Sequence, residues 1–202
     1  TCHYGVNIFL ADSGLPEGDA TRLYFAADAL QLKCLVHAIW NDPGLRFVFS
    51  TRSKGPFILN EDGSQRYGGD YQFVPGKDEI IREGSAGYVI SYGDILYRAL
   101  DAVERARETG LDVGLINKPT LNVVDEAMME KIGRAPFVLV VEAQNRLTGL
   151  GSRFGSWLLE RGHAPKYAWL AVTKPGHGGL GEHVFHQGID PDSILSKIRA
   201  MA

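Results

Sequence analysis

Between residues 87 and 155, short apolar runs alternate with stretches of helical spacing, and this alternation constrains the fold more than any other feature of the chain. The runs are Gly87-Tyr-Val-Ile-Ser-Tyr92, Leu111-Asp-Val-Gly-Leu-Ile-Asn117 and Phe137-Val-Leu-Val-Val-Glu142. Each is short and rich in Val, Ile or Phe, as expected of strands buried on both faces of a parallel sheet. Between the first two, Ile95, Leu96, Ala99, Leu100 and Val103 share one helical face. After the third, Leu147-Thr-Gly-Leu-Gly-Ser152 opens a helix whose Leu150, Phe154, Trp157 and Leu158 follow the same periodicity. Parallel strands need crossover connections, and helices supply them, so the pattern predicts consecutive βαβ units in an α/β fold. A further strand is expected over residues 166–173. A last helix follows, with Asp190 as N-cap, Pro191 in its first turn, and Ile194, Leu195, Ile198 and Met201 as its buried stripe.

A smaller α/β piece precedes this unit. Residues 22–25 read as a strand, and residues 26–40 as a helix with Leu30, Cys34, Leu35, Ala38 and Ile39 on one face. Asn41-Asp-Pro-Gly44 stops that helix, because Pro cannot continue it and Gly accepts a positive φ. Residues 45–50 form a second strand, followed by the loop Thr51-Arg-Ser-Lys-Gly-Pro56. In open α/β sheets, ligands sit at such carboxyl strand ends. Residues 60–84 show no periodicity, and Asn60-Glu-Asp-Gly-Ser-Gln-Arg-Tyr-Gly-Gly-Asp70 is polar and turn-forming. The expected organisation is a partial α/β domain at 1–59, a linker at 60–76 and a complete domain at 77–202.

A chain of 202 residues with a net charge of −3 and no basic stripe has no electrostatic footprint for nucleic acid. No apolar run is long enough to cross a bilayer, so no membrane association is expected. Cys2 and Cys34 are the only cysteines, which is no disulfide framework and suggests a reducing, cytoplasmic setting. The start, Thr-Cys-His-Tyr-Gly, lacks both a Met and the character of a signal peptide, as expected for part of a longer chain. No Ser-His-Asp order or Cys-x-x-Cys pair supports hydrolase or thiol chemistry. A nucleotide-binding α/β protein would need a Gly-x-Gly-x-x-Gly or Gly-Lys-Ser loop, and neither is present.

Several residues invite a functional reading. His177, His183 and His186, with Glu182, lie within ten residues of one another and suggest a zinc site. Their spacing matches no finger or His-Glu-x-x-His helix, and the glycines among them give no rigid scaffold, so a loop lining a channel or an interface is the better expectation. Gly149-Leu-Gly-Ser152 opens a helix whose free N–H groups can cradle an anion. Glu142, at a strand end, suits either catalysis or the capping of nearby N–H groups, the latter being favoured. Asp94 reads as a helix cap.

The order of these motifs resembles the C-terminal domain of thiamine-diphosphate enzymes of the transketolase type, as found also in deoxyxylulose-phosphate synthase and the β subunit of pyruvate dehydrogenase. The resemblance rests on the strand before Gly93-Asp94, the segment Asp112-Val-Gly-Leu-Ile-Asn-Lys-Pro-Thr-Leu-Asn-Val-Val-Asp125, the Val-Val-Glu strand and the Gly-Leu-Gly-Ser helix start. It implies a three-layer αβα domain with a mostly parallel sheet over residues 77–202. Within the family, the glycine turn at 149–152 serves mainly close strand–helix packing. Thr21-Arg-Leu-Tyr-Phe-Ala-Ala-Asp-Ala29 is similar to the end of the pyrimidine-binding domain that precedes it.

The resemblance further implies transfer of a two-carbon ketol or acyl unit between small sugar-phosphate or keto-acid substrates, with thiamine diphosphate and Mg²⁺ in the intact enzyme. It assigns substrate binding to Arg52, which ends Phe47-Val-Phe-Ser-Thr-Arg52, and to His3, although Thr-Cys-His-Tyr departs from the family's Thr-His-Asp or Thr-His-Gln. Arg52 and Lys54 also read as solvated loop charges, and His3 as a frayed end. The family's Gly-Asp-Gly diphosphate loop and cofactor-activating glutamate are missing from this sequence. No cofactor is therefore expected on this chain alone, and a homodimer without independent catalysis is expected. A partner-docking or dimerisation module, like that of a dehydrogenase β subunit, is the alternative.

Overall fold

The expected Val- and Ile-rich runs become the centre of a five-stranded sheet. The structure is a computed structural model that describes residues 5–12, 21–51, 54–175 and 180–202. The sheet contains β3 (Glu79–Arg82), β4 (Gly87–Ser91), β5 (Val113–Asn117), β6 (Phe137–Asn145) and β7 (Lys166–Val172). Its order is β3-β5-β4-β6-β7, with β3 antiparallel to β5 and every other pairing parallel. Every residue of β4 and β5 is buried, as the uniform apolar runs require.

Helices cover both faces. On one face, α2 (Leu96–Glu108) and α6 (Pro191–Met201) bury Ala99, Val103, Ile194 and Ile198 against Val89, Leu115 and Leu139. On the other, α3 (Glu126–Gly133) and α4 (Leu150–Glu160) bury Met129, Ile132, Leu150 and Phe154 against Ile90, Ile116, Val138 and Val140. The result is the three-layer αβα arrangement. Asp190 caps α6 as expected, accepting from the Ser193 amide at 3.0 Å.

The amino-terminal piece pairs β1 (Thr21–Phe25) with β2 (Leu45–Phe49) in parallel, joined by α1 (Ala29–Ile39). The turn at 41–44 closes with Gly44 at φ +90°. Leu35 and Ile39 are buried on α1 with Gln31, whereas Ala38 of the expected face is exposed. Leu23 and Phe25 of β1 join the same core as α3 and α4, so the piece docks on the larger unit through apolar contact.

Several local features differ from the expectations or add to them. Strand β3 lies where the sequence shows no periodicity, because four edge residues with Glu and Arg at their ends carry no period. Residues 60–76 hold no helix or strand, yet Tyr67 and Phe73 within them are buried. Asp94 does not cap α2: it sits in a 3₁₀ turn, Gly93–Ile95, and Ile95 takes the N-cap position without a side-chain cap. The segment expected as a histidine loop contains α5 (Leu180–Gln187), where buried Val184 and Ile189 anchor a helix to the core that glycine content alone obscures.

Candidate functional site

The carboxyl ends of the parallel strands gather the polar groups that the strands cannot pair internally. Glu142 on β6 is fully buried. It accepts hydrogen bonds from the Tyr92 hydroxyl at 2.7 Å and from the amides of Leu150 and Gly151, each at 2.8 Å. The helix start that suits an anion therefore holds one already, the chain's own carboxylate. The glycine turn permits that approach: a Cβ on Gly149 would lie 2.4 Å from Glu142, and one on Gly151 would lie 2.5 Å from the Trp169 ring. Burial raises the Glu142 pKa, against which the Gly151 amide, the Tyr92 hydroxyl and the Leu150 amide stabilise the anion. This is the expected capping role, although β6 runs on to Asn145 and Glu142 lies within the strand, not at its end.

From Tyr92 the contact continues to the smaller unit. Its ring lies 5.9 Å from that of Phe25 at the end of β1, which in turn lies 6.2 Å from Phe49 at the end of β2. Gly93, at φ +58°, lets Phe25 in: a Cβ there would stand 2.8 Å from the ring.

A second polar cluster joins the two units at the end of β5. Asn117 directs its side-chain amide to Glu79 at 2.9 Å, Tyr67 at 2.9 Å and Gln31 at 3.2 Å. Glu79 also accepts from Gln31 Nε2 at 2.8 Å and from the Tyr71 hydroxyl. Burial raises the Glu79 pKa while Tyr71, Asn117 and Tyr67 favour its charged form. Immediately after the strand, fully buried Lys118 pairs with Asp78 at 3.0 Å and donates to the Val123 carbonyl at 2.7 Å. Burial pushes Asp78 up to about 6 even with Lys118 beside it. Asp125 caps α3 and accepts from the Asp78 amide at 3.1 Å and from Lys77.

Of the residues expected to bind substrate, Arg52 and His3 both lie outside the described residues. The nearest described residues are Thr51, the second residue past β2, and Gly5, whose amide donates to the Ala143 carbonyl of β6 at 2.9 Å. His177 also lies outside the described residues. His183 and His186 sit three residues apart on α5, the first buried and the second half-buried. Sequence reading missed the cluster of Gln31, Asp78, Glu79, Asn117 and Lys118. The available signal was a strand ending in Asn-Lys instead of an apolar residue. Lys77-Asp-Glu79 reads as a surface charge run until its pairing with β5 is known.

The chain's similarity to known proteins agrees with this architecture. The family described as transketolase, C-terminal domain, matches residues 76–194, more than half of the chain. One subunit of the apulose-4-phosphate transketolase of Actinobacillus succinogenes is 29% identical over 148 residues, covering 70% of this chain and 48% of that protein. The 1-deoxy-D-xylulose-5-phosphate synthase of Geobacillus thermodenitrificans is 27% identical over 132 residues, 61% of this chain and 20% of that enzyme. The chain thus spans half or less of the length of these relatives. Among solved structures, a split-gene transketolase described as an inactive β4 tetramer superposes with a TM-score of 0.81 at 18% identity, over 96% of this chain and 60% of that one. At that identity the likeness speaks for the fold. With the motif order, the five-stranded topology and the matched span in agreement, the chain belongs to the transketolase C-terminal domain family.

Proposed function

We propose that this chain is the C-terminal part of a thiamine-diphosphate-dependent transketolase-like enzyme that moves a two-carbon ketol or acyl unit between small sugar-phosphate or keto-acid substrates. The observation that carries the reading is the family match over residues 76–194, seated on the topology described above. The chain is not catalytic alone in this reading. Among the described residues no three His, Cys, Asp or Glu side chains converge on a cation position. The helix-start amides that would suit a diphosphate already hold Glu142. These residues do not fit a magnesium diphosphate, so we assign that cofactor to another domain or companion polypeptide. The part assigned to this chain is to shape the substrate end, with Arg52 and His3 as the contacts and Arg52 offering a bidentate fork to a phosphate.

Two of the similar proteins, one a transketolase subunit and the other a split-gene transketolase, favour a second element of the reading, that the chain works as one polypeptide of a divided enzyme. Residues 1–59 would then be the tail of a pyrimidine-binding domain, residues 60–76 the linker and residues 77–202 the C-terminal domain. A homodimer burying about 1,200 Å² or more is the assembly we expect, in a reducing cytoplasm. No helix among the described residues is long and apolar enough to cross a membrane.

Calorimetry and light scattering test this reading. The purified chain should show no micromolar site for thiamine diphosphate with Mg²⁺ and should scatter as a dimer. Ketol transfer should appear only when a polypeptide carrying a Gly-Asp-Gly diphosphate loop is added. Transfer by the chain alone, or no transfer with any such companion across phosphorylated ketoses, would overturn it.

A further inference from the structure

The antiparallel edge strand β3 opens on Glu79 with Asp78 immediately before it, and these two acids meet Asn117 at the end of β5 and Lys118 immediately after it. Glu79 and Asn117 are register partners, and adjacent residues on paired strands point to opposite faces of the sheet. Each acid therefore acts on a different side. On one face, Glu79 and Asn117 hold Gln31 of α1, whose Oε1 accepts from the Ala27 amide at 2.8 Å. Asp28, three residues earlier, caps α1 and accepts from the Ile58 amide at 2.9 Å, tying the connection between the units to the same helix start.

On the other face, Asp78 holds Lys118, and Lys118 holds the Val123 carbonyl. The loop from Pro119 to Val124, fixed in this way, grips β1. The Leu121 amide donates to Leu23 at 2.7 Å, and the Phe25 amide donates to Pro119 at 3.0 Å. Asn122 accepts from the Leu23 amide at 2.9 Å and donates to the Thr21 carbonyl at 2.9 Å.

We infer that Asp78 and Glu79 are the two jaws of a clamp through which the edge of the larger sheet fixes the orientation of the amino-terminal unit, α1 by one jaw and β1 by the other. A buried charge pair and a half-buried carboxylate with three side-chain donors are directional in a way that the apolar contact around Leu23 and Phe25 is not. Removing one partner leaves the other buried and unpaired, so the jaw opens before the hydrophobic contact is lost. The groups facing Asp78 are Lys118 just after β5, Asp125 at the start of α3 and Glu79 beside it. Those facing Glu79 are Tyr67, Tyr71, Arg66, Asn117 and Gln31.

Amide hydrogen exchange on the full chain tests it. In the unsubstituted protein, the amides of Leu23, Phe25 and Leu121 should be protected to the level of β5. Lys118→Met should speed exchange at these three by tenfold or more, while Val89 and Val140 in the sheet centre stay within twofold. Glu79→Gln should do the same at Ala27 and Ile58 and leave Leu121 unchanged. Should Lys118→Met fail to fold, Asp78→Asn, which keeps the side-chain volume, is read in its place. Unprotected inter-unit amides in the unsubstituted protein would overturn the clamp. So would a uniform rise that includes Val89 and Val140, or no change in either variant.

Discussion

Replacing Glu142 with Gln tests how the sheet is joined to α4. The amide keeps the size of the side chain but only one acceptor oxygen. Rotated to preserve the bonds from Tyr92 and Leu150, it turns its NH₂ toward the Gly151 amide, which now donates to Glu142 at 2.8 Å. A buried donor left without a partner costs about 1–3 kcal/mol. Loss of the negative charge at the start of α4 removes a further contribution of about 0.3–2 kcal/mol. Against this, the variant no longer buries a charge, which is what raises the Glu142 pKa. The expected net loss is about 2–4 kcal/mol of unfolding free energy, with about 1–2 kcal/mol for Tyr92→Phe. The two should be non-additive in the double variant, since they share one bond. Urea unfolding followed by circular dichroism at neutral pH measures all three. A Glu142→Gln loss below about 0.5 kcal/mol, the range of ordinary surface changes, would refute the capping account. If the intact enzyme were also inactive, it would favour a catalytic carboxylate.

Three further outcomes follow from particular contacts. Asp78 has a folded pKa of about 6 against an ordinary value of 3.8, so the folded state takes up its proton first and this group's contribution, complete in acid, is lost as pH rises through about 6. The stability of the wild type relative to Asp78→Asn should therefore fall by about 1–3 kcal/mol across that window, and denaturant curves at stepped pH that show a rise instead would reverse the assignment. Gly93→Ala forces a positive φ on a residue with a side chain and drives a Cβ to 2.8 Å from Phe25, so thermal melts should report a loss of about 2–4 kcal/mol. Arg52→Ala in the reconstituted enzyme should raise KM for phosphorylated substrates by an amount equivalent to about 1.5–3 kcal/mol, while an unchanged KM would remove Arg52 from the substrate site.

The sequence alone determined the parallel core and its helices. Val89, Ile90, Leu115, Ile116, Val138 and Val140 are apolar without alternation because both faces of their strands are covered, and that requirement is written residue by residue. The cap at Asp190 and the turn at Gly44 were legible for the same reason, since each depends on a few neighbouring residues. The carboxylate role of Glu142 was half legible: its place at the end of the apolar run was visible, but not that the strand continues to Asn145 or that the helix eight residues on would fold back over it. What only the tertiary structure decided is how the two units are joined. Gln31 looks like a solvent-facing helix residue, Asp78 and Glu79 like a surface charge run, and Asn117-Lys118 like a strand giving way to a loop. Their partners lie 38 to 86 residues away along the chain, with Asp78 and Lys118 40 apart. A buried polar group is intelligible only through the partner that satisfies it, and the register of β3 against β5, which brings these groups together, leaves no periodic trace in four residues.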